Sequence, residues 1–203
     1  MTLRQRLFAR YYDRMQRGYE ELLGDRRRRL LSGVSGRLLE LGPGTGVNFV
    51  HYPAADRIEW HGVEPNPHMR ERLIPRARER GFEPGFCELE RSRLLADDAS
   101  FDFVVSTLVL CSVPDLDATL AEIRRVLRPG GRLVFLEHVA APRGTWRRRV
   151  QDAVTPCCRW LADGCHMNRE TGRHIEQAGF AGVEMESFEA KVPHVAGCAR
   201  RGS

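Results

Sequence analysis

Three glycines and two carboxylates in the first third of the chain have the types and spacing of a ligand-binding loop. The loop is Glu40–Gly46, with the sequence Glu-Leu-Gly-Pro-Gly-Thr-Gly. Gly42 and Gly44 allow a tight turn and leave no Cβ between the backbone and a bound molecule. Glu64 follows the loop by 18 residues, and its carboxylate can accept hydrogen bonds from the two hydroxyls of a ribose.

The loop differs from the dinucleotide fingerprint G-x-G-x-x-G, because Val47 occupies the position of its third glycine. Gly46 instead allows close packing of a helix that we expect to begin at Val47. The carboxylate of Glu40 disfavours a pyrophosphate beside the loop and suits a cationic sulfonium ligand that also carries an ammonium group. A nicotinamide-dependent oxidoreductase is therefore the weaker interpretation.

Alternating strands and helices must hold this loop. We predict one or two amphipathic helices over 3–32. The predicted strands are 37–41, 58–63, 86–89, 101–108, 132–138, 183–188 and 192–199. The predicted helices among them are 67–80, 117–127, 146–161 and 171–178. We predict an α/β fold: a doubly wound, seven-stranded, mostly parallel sheet with an antiparallel C-terminal hairpin. The loops after the first, second, fourth and fifth strands should line one site, at the carboxyl ends of the strands.

The composition is typical of a soluble globular protein, with 203 residues, 42% hydrophobic and 29% charged. No apolar run approaches the ~20 residues of a membrane span. Residues 1–37 contain ten arginines and four acidic residues, a net charge of +6. A non-enzymatic protein that binds nucleic acid or a membrane surface is a second hypothesis, although a solvated helix face explains this charge more simply.

The six cysteines form no C-x-x-C pair and no series of Cys and His at metal-ligand spacing, so we expect no metal site. The N-terminus has no apolar signal segment, which disfavours a disulfide framework. We therefore expect reduced thiols and a cytoplasmic location.

The motifs together resemble the class I S-adenosylmethionine-dependent methyltransferases. The resemblance rests on Glu40–Gly46, on Glu64 as the ribose acid and on Val126–Leu133 before the fifth strand. It implies S-adenosyl-L-methionine as the cofactor and a Rossmann-like fold with N-terminal helices over the cofactor. We accordingly expect N-terminal capping helices in residues 1–34 and a single methyltransferase domain in 35–203.

A narrower resemblance, to the alkyl thiol S-methyltransferases, extends into the second half of the chain. Its motifs are Leu38–Phe49 with Tyr52-Pro53, Pro65–Pro67, Thr107–Val113, Glu137–Val139, Asp163–Cys165 and Arg169–Thr171. It implies methyl transfer to a small-molecule thiol, and the alternative is an O-, N- or C-methyltransferase of a small metabolite or quinone-like ring.

Three features depart from this narrower family. Pro43 stands where the family usually has Cys, and Glu64 replaces its usual Asp. The animal members carry an N-terminal membrane anchor that this sequence does not show, so we expect a cytoplasmic enzyme without a membrane span or a nucleic-acid partner.

The resemblance also implies positions for the cofactor. Pro65 should lie against the adenine, and Glu90 or Glu88 should accept its amino group. Tyr11 should close the pocket, although its place in an apolar stripe equally fits ordinary packing. The predicted cofactor-binding residues are Tyr11, Glu40, Gly42, Pro43, Gly44, Gly46, Glu64, Pro65, Asn66, Glu90, Arg91, Thr107 and Leu108.

Two polar residues are candidates for catalysis on the acceptor side. His138 ends the fifth strand, where a neutral imidazole oriented by Glu137 could take a proton from the acceptor; a buried core histidine is the alternative. Asp163 could be a second polar group of the pocket or a helix cap. We interpret Cys111 and Cys165 as pocket lining or core, because methyl transfer to a thiol needs no enzyme nucleophile.

Overall fold

A seven-stranded sheet forms the centre of the computed structural model, which describes residues 3–90 and 93–203. The strands of this sheet are β1 (Gly36–Leu41), β2 (Ile58–Val63), β3 (Gly85–Phe86), β6 (Phe101–Thr107), β7 (Leu127–His138), β8 (Gly182–Ala190) and β9 (Val192–Arg200). A separate antiparallel pair consists of β4 (Leu89–Glu90) and β5 (Arg93–Leu94). The helices are α1 (Leu3–Leu31), α2 (Pro67–Glu79), α3 (Leu116–Val126), α4 (Trp146–Leu161) and α5 (Thr171–Gln177).

The strand order in the large sheet is β3-β2-β1-β6-β7-β9-β8. The first five strands are parallel, and β9 pairs antiparallel with both β7 and β8. The predicted fold class is therefore confirmed. Since β2 lies on one side of β1 and β6 on the other, the chain reverses its direction across the sheet beside β1. Ligands bind at this point in open α/β sheets.

Alternate residues of the central strands supply two separate cores. Leu39 and Val104 pack in a cluster with α3, whereas their neighbours Leu38 and Val105 pack in a cluster with α2. All four side chains are completely buried. Period-two alternation with apolar residues on both faces is what a parallel sheet covered by helices requires.

The N-terminal segment forms one continuous helix, α1. Leu23 and Leu31 are completely buried and anchor its second half. The carboxylate of Asp13 anchors its first half, because it accepts hydrogen bonds from Thr45 Oγ1 at 2.6 Å and Arg76 Nη2 at 2.8 Å. Although α1 has 29 residues, no helix within the described ranges is apolar enough over a sufficient length to cross a bilayer. The division of the chain after residue 34 stays a prediction.

Two predicted elements near the glycine loop are wrong. Instead of a helix beginning at Val47, the chain makes a 3₁₀ turn at Val47–Val50, and Pro53 disfavours helical backbone at the residue before it. The predicted third strand, 86–89, is divided between β3 and β4. Glu88 and Glu90 on either side of Leu89 are exposed, so no buried alternation continues beyond Phe86.

The strand that ends at His138 is longer than predicted. It begins at Leu127, which pairs with Phe101, and its register shifts before Arg132 pairs with Phe103. The Pro-Gly-Gly segment lies within this strand, at the point where its register shifts.

Gly197 is a sensitive point of the C-terminal hairpin. A Cβ at Gly197 would lie 1.9 Å from the carbonyl oxygen of Glu184, whereas a Cβ at Gly182 in the same hairpin would meet nothing within 4 Å. We expect Gly197→Ala to lower the free energy of unfolding by about 3 kcal/mol and Gly182→Ala to change it by less than about 0.5 kcal/mol. Urea denaturation measures both, and equal stabilities would contradict the pairing of β8 with β9.

Candidate active site

A cavity of about 590 Å³ opens beyond the carboxyl ends of β1, β2, β6 and β7. The first half of α1 and the segment after α4 complete its wall. This volume is within the range of pockets for cofactors and small molecules. Most of the wall is apolar, and its polar groups include Glu64, His138 and Asp163.

The glycine loop forms one edge of this cavity. Gly42 and Gly44 both have left-handed backbone conformations, with φ of +51° and +59°. A Cβ at Gly44 would lie 2.7 Å from Tyr12 Oη, so glycine is required for both the conformation and the space. The loop is fixed to β2, because Gly42 N donates to the carbonyl oxygen of Val63 at 2.9 Å.

Glu64 lies at the end of β2 and lines the cavity. Its two carboxylate oxygens accept hydrogen bonds from Gly44 N at 3.0 Å and from Asn66 N at 2.9 Å. Burial raises the pKa of Glu64, and the two backbone N–H groups act against that increase. Each oxygen retains one lone pair for a further donor, so the carboxylate can still bind two ribose hydroxyls.

Glu40 lies beneath the loop and does not line the cavity. Its carboxylate accepts hydrogen bonds from Asn48 Nδ2, Tyr52 Oη and Trp60 Nε1, each at 2.8 Å. Burial raises the pKa of Glu40, and these three donors stabilise its charged form. Glu40 was expected to contact the cofactor, but the structure places its carboxylate outside the cavity, where it stabilises the loop from below.

Two cysteines and a histidine meet at the β7 end of the cavity, opposite the β2 end. Cys111 follows β6, His138 ends β7, and Cys165 follows α4. His138 Nε2 lies 3.2 Å from Cys165 Sγ, and the two Sγ atoms and a ring nitrogen all lie within 4.8 Å of one another. Glu137 does not orient the imidazole by a hydrogen bond, because its Oε1 accepts from Ser106 Oγ at 2.7 Å and from Val109 N at 3.2 Å.

Two non-glycine residues with left-handed backbone form part of the same wall. Leu108 has φ of +59° and Asp163 has φ of +48°. Such conformations are strained for residues with a Cβ, and they concentrate at functional sites. Asp163 follows the last residues of α4, so it is not an N-terminal helix cap, the structural alternative to a role in the pocket.

The fold and this geometry agree with a known family. A family model described as a methyltransferase domain matches residues 14–184. The chain belongs to this family. Its cofactor is S-adenosyl-L-methionine, and the residues of the cavity fit that molecule: two glycines leave the loop without side chains, and Glu64 presents free lone pairs to a ribose. The oxidoreductase and the non-enzymatic hypotheses are thereby excluded.

Two human proteins are similar to the methyltransferase over most of its length. Thiol S-methyltransferase TMT1B is 45% identical over 166 residues, which are 77% of this chain and 65% of that protein. Thiol S-methyltransferase TMT1A is 37% identical over 198 residues, which are 89% of this chain and 80% of that protein. The chain thus spans about two thirds of the length of TMT1B.

Solved structures share the architecture at lower identity. Phosphoethanolamine N-methyltransferase 2 of Haemonchus contortus, in complex with S-adenosyl-L-methionine, is 16% identical and has a TM-score of 0.69. The similarity covers 97% of the methyltransferase and 60% of that chain. At this identity it shows the fold alone.

The structure brings together about half of the residues that the sequence indicated. The ones that line the cavity are Gly42, Gly44, Glu64, Pro65, Leu108, His138 and Asp163. Four others, Pro43, Gly46, Asn66 and Thr107, support the loop from outside the cavity. Pro43 O accepts from Gly46 N at 2.9 Å, and Thr107 Oγ1 accepts from Asn48 Nδ2 at 3.0 Å. Asn66 caps α2. Arg91 lies outside the described residues.

Tyr11, which was expected to close the pocket, does not line the cavity, whereas its neighbour Tyr12 does. Tyr11 is 58% exposed, and Leu7 and Met15 are each about half exposed. Tyr12 lines the cavity, and burial raises its pKa to about 12, so its phenol stays neutral. Leu7 and Tyr11 lie outside the cavity, whereas Met15 and Tyr19, at i+4 and i+8 from Tyr11, line it together with Phe8 and Tyr12.

Glu90, the residue expected to contact the adenine, also lies outside the cavity. Glu90 is exposed in β4 and does not line the cavity, and the alternative, Glu88, pairs with Arg70 at 3.1 Å. Leu89 between them lines the cavity. A two-residue alternation explains this placement, since neighbouring side chains of an extended segment point to opposite faces.

The ribose role of Glu64 has a direct test. Glu64→Ala removes two hydrogen-bond acceptors, so S-adenosylmethionine should bind more weakly by roughly 2–4 kcal/mol. Glu64→Asp keeps the carboxylate and should have a milder effect. Calorimetry measures the affinities, and Glu90→Ala is the matched control, with affinity unchanged. Equal losses in the Ala and Asp variants would contradict the ribose role.

The correction at α1 gives a paired prediction. Tyr12→Ala removes a large ring from the cavity wall and should weaken cofactor binding by about 1.5–3 kcal/mol. Tyr11→Ala, its exposed neighbour, should leave the affinity within about threefold of the parent value. If Tyr11→Ala has the larger effect in the same calorimetric titration, the assignment of Tyr12 to the cavity wall is incorrect.

Proposed function

We propose that this methyltransferase transfers a methyl group to the sulfur of a small alkyl or aryl thiol. S-adenosylmethionine, when bound, supplies an electrophilic methyl group on a sulfonium sulfur. The identity to two proteins named thiol S-methyltransferases, 45% and 37%, supports a thiol as the acceptor. The chemistry of the cavity supports the same conclusion independently.

The observation that carries the proposal is the character of the acceptor end of the cavity. Three sulfur atoms line it, from Cys111, Cys165 and Met167. The imidazole of His138 is engaged with a cysteine sulfur at 3.2 Å rather than with a carboxylate that would strengthen it as a base. This surface suits an apolar, sulfur-containing acceptor that requires little proton abstraction.

Thiols meet that requirement better than other acceptors. An ordinary thiol has a pKa of about 8.5 and is partly ionised near neutral pH, whereas a phenol has a pKa of about 10. The protein then has to hold the acceptor sulfur about 3–3.5 Å from the methyl carbon, aligned and away from water. Leu108, Val109 and Val113 contribute apolar wall to this part of the cavity.

Glu64 and the glycine loop would hold the nucleoside of the cofactor, with Pro65 against its adenine. His138 and Asp163 remain the proposed polar groups beside the acceptor. A cytoplasmic location and the absence of a nucleic-acid partner are further parts of the proposal.

Matched acceptors test the proposal. We expect kcat/KM to be at least about 10²-fold higher for a thiol than for the phenol or amine with the same carbon skeleton, because the latter two depend on a general base. A methylation assay with aryl and alkyl series measures this preference. Glu64→Ala is the control that separates enzymatic from spontaneous methylation, and it should lose the thiol activity. A phenol or an amine preferred over every thiol would overturn the proposal.

A further inference from the structure

The cluster of Cys111, His138 and Cys165 has the composition of a metal site. Its three potential ligand atoms lie within 4.8 Å of one another. In a tetrahedral zinc site, with Zn–S distances of about 2.3 Å and Zn–N distances of about 2.0–2.1 Å, neighbouring ligand atoms lie roughly 3.5–3.8 Å apart. Small side-chain rotations would therefore bring the three atoms to coordination distance.

The donor set selects the class of metal. Two thiolates and an imidazole are soft or borderline ligands, which bind zinc and disfavour magnesium and calcium. Structural zinc sites use four protein ligands, whereas a Cys₂His set leaves the fourth position for water or substrate, as in catalytic zinc sites. All three side chains line the cavity, so the remaining position faces the space for the acceptor.

Backbone contacts hold the three residues in place. The carbonyl oxygen of Cys111 accepts from His166 N at 2.9 Å, which joins the loop after β6 to the segment after α4. Arg169 Nη1 donates to the carbonyl oxygens of Leu110 and Val113, both at 2.7 Å, and so fixes the backbone on either side of Cys111. His138 is held in the sheet by its pairing with His194. Ligands positioned by rigid elements are characteristic of a built site.

A buried carboxyl group adjoins the cluster. Glu137 is completely buried next to His138, and it interacts electrostatically with all three residues of the cluster. Its Oε2 has no hydrogen-bond partner among the described residues. A dication bound at the cluster would interact favourably with this carboxyl group in its ionised form.

We propose that Cys111, His138 and Cys165 bind one zinc ion whose open fourth position receives the sulfur of the acceptor thiol. The second half of this inference rests on the proposed thiol acceptor. The two cysteines and the acceptor release their protons to solvent when they bind the metal. The acceptor sulfur then uses an electron pair to form the bond to the methyl carbon, while the methyl–sulfonium bond breaks and its electron pair stays on the departing sulfur. His138 is then a metal ligand rather than the base.

Metal content and cobalt spectra test the site without any turnover. The full chain, reduced and incubated with zinc chloride, should retain about one zinc ion per chain after gel filtration. With cobalt(II) in place of zinc, the protein should show a thiolate-to-cobalt charge-transfer band and the intense d–d bands of a tetrahedral site. Substoichiometric zinc together with an octahedral cobalt spectrum would overturn the proposal.

Single variants assign the ligands. Cys111→Ser, Cys165→Ser and His138→Ala should each bind zinc at least about tenfold more weakly in a chelator competition. Cys198→Ser is the matched control, because this half-buried cysteine lies in β9 and does not line the cavity. Retained binding of S-adenosylmethionine shows that a variant is folded. Unchanged zinc affinity in folded Cys111→Ser and Cys165→Ser proteins would overturn the assignment.

The acceptor position has its own readout. A small alkyl thiol added to the cobalt protein should increase the charge-transfer intensity, since a third sulfur joins the metal, and the alcohol with the same skeleton should not. An unchanged spectrum would overturn the open-position half of the proposal. Thiol methylation without zinc binding would refute only the metal site, whereas zinc binding with preferred methylation of phenols would refute only the thiol acceptor.

Discussion

The buried carboxylate of Glu40 connects the segments that form the cofactor half of the cavity. Its three donors come from the turn after β1, from Tyr52 and from β2, and Asn48 also donates to Thr107 at the end of β6. A buried carboxylate without donors would be strongly destabilising, so the position of each donor is constrained by the others. The carboxyl ends of three strands are thereby held in one arrangement, and the glycine loop and Glu64 take their places from it.

The two ends of the cavity recognise different chemistry on this common support. At the β2 end, backbone N–H groups and a carboxylate provide directional hydrogen bonds for a polar nucleoside. Near the end of β7, polarizable sulfur and imidazole groups stand in an apolar wall. The division of the cavity into these two ends suits a reaction in which the cofactor is common to a large family and the acceptor is specific to this protein.

Features encoded by neighbouring residues could be predicted from the sequence, and features created by the tertiary fold could not. The glycine spacing and the acid at Glu64 identified one edge of the cavity, because a strand that runs into a glycine loop is a local pattern. Tyr12 was missed since the apolar stripe through Tyr11 gives no sign of which side the sheet covers. Cys111 and Cys165 are 54 residues apart in the chain. Only the parallel pairing of β6 with β7 and the return of the chain after α4 bring them to His138. The sequence offered one indication of this cluster, namely that each cysteine closely follows a predicted strand or helix.

The first half of α1 forms a wall of the cavity, while the buried leucines that anchor the helix lie in its second half. Its attachment near the cavity combines the buried Ala9 with polar contacts such as those of Asp13, and the polar contacts weaken as ionic strength rises. A ligand that fills the cavity adds apolar contacts to the same part of the helix. Ligand binding and the folding of the first turns of this helix are consequently linked thermodynamically. Hydrogen exchange at the amides of these turns would slow as the fraction of protein with bound ligand rises.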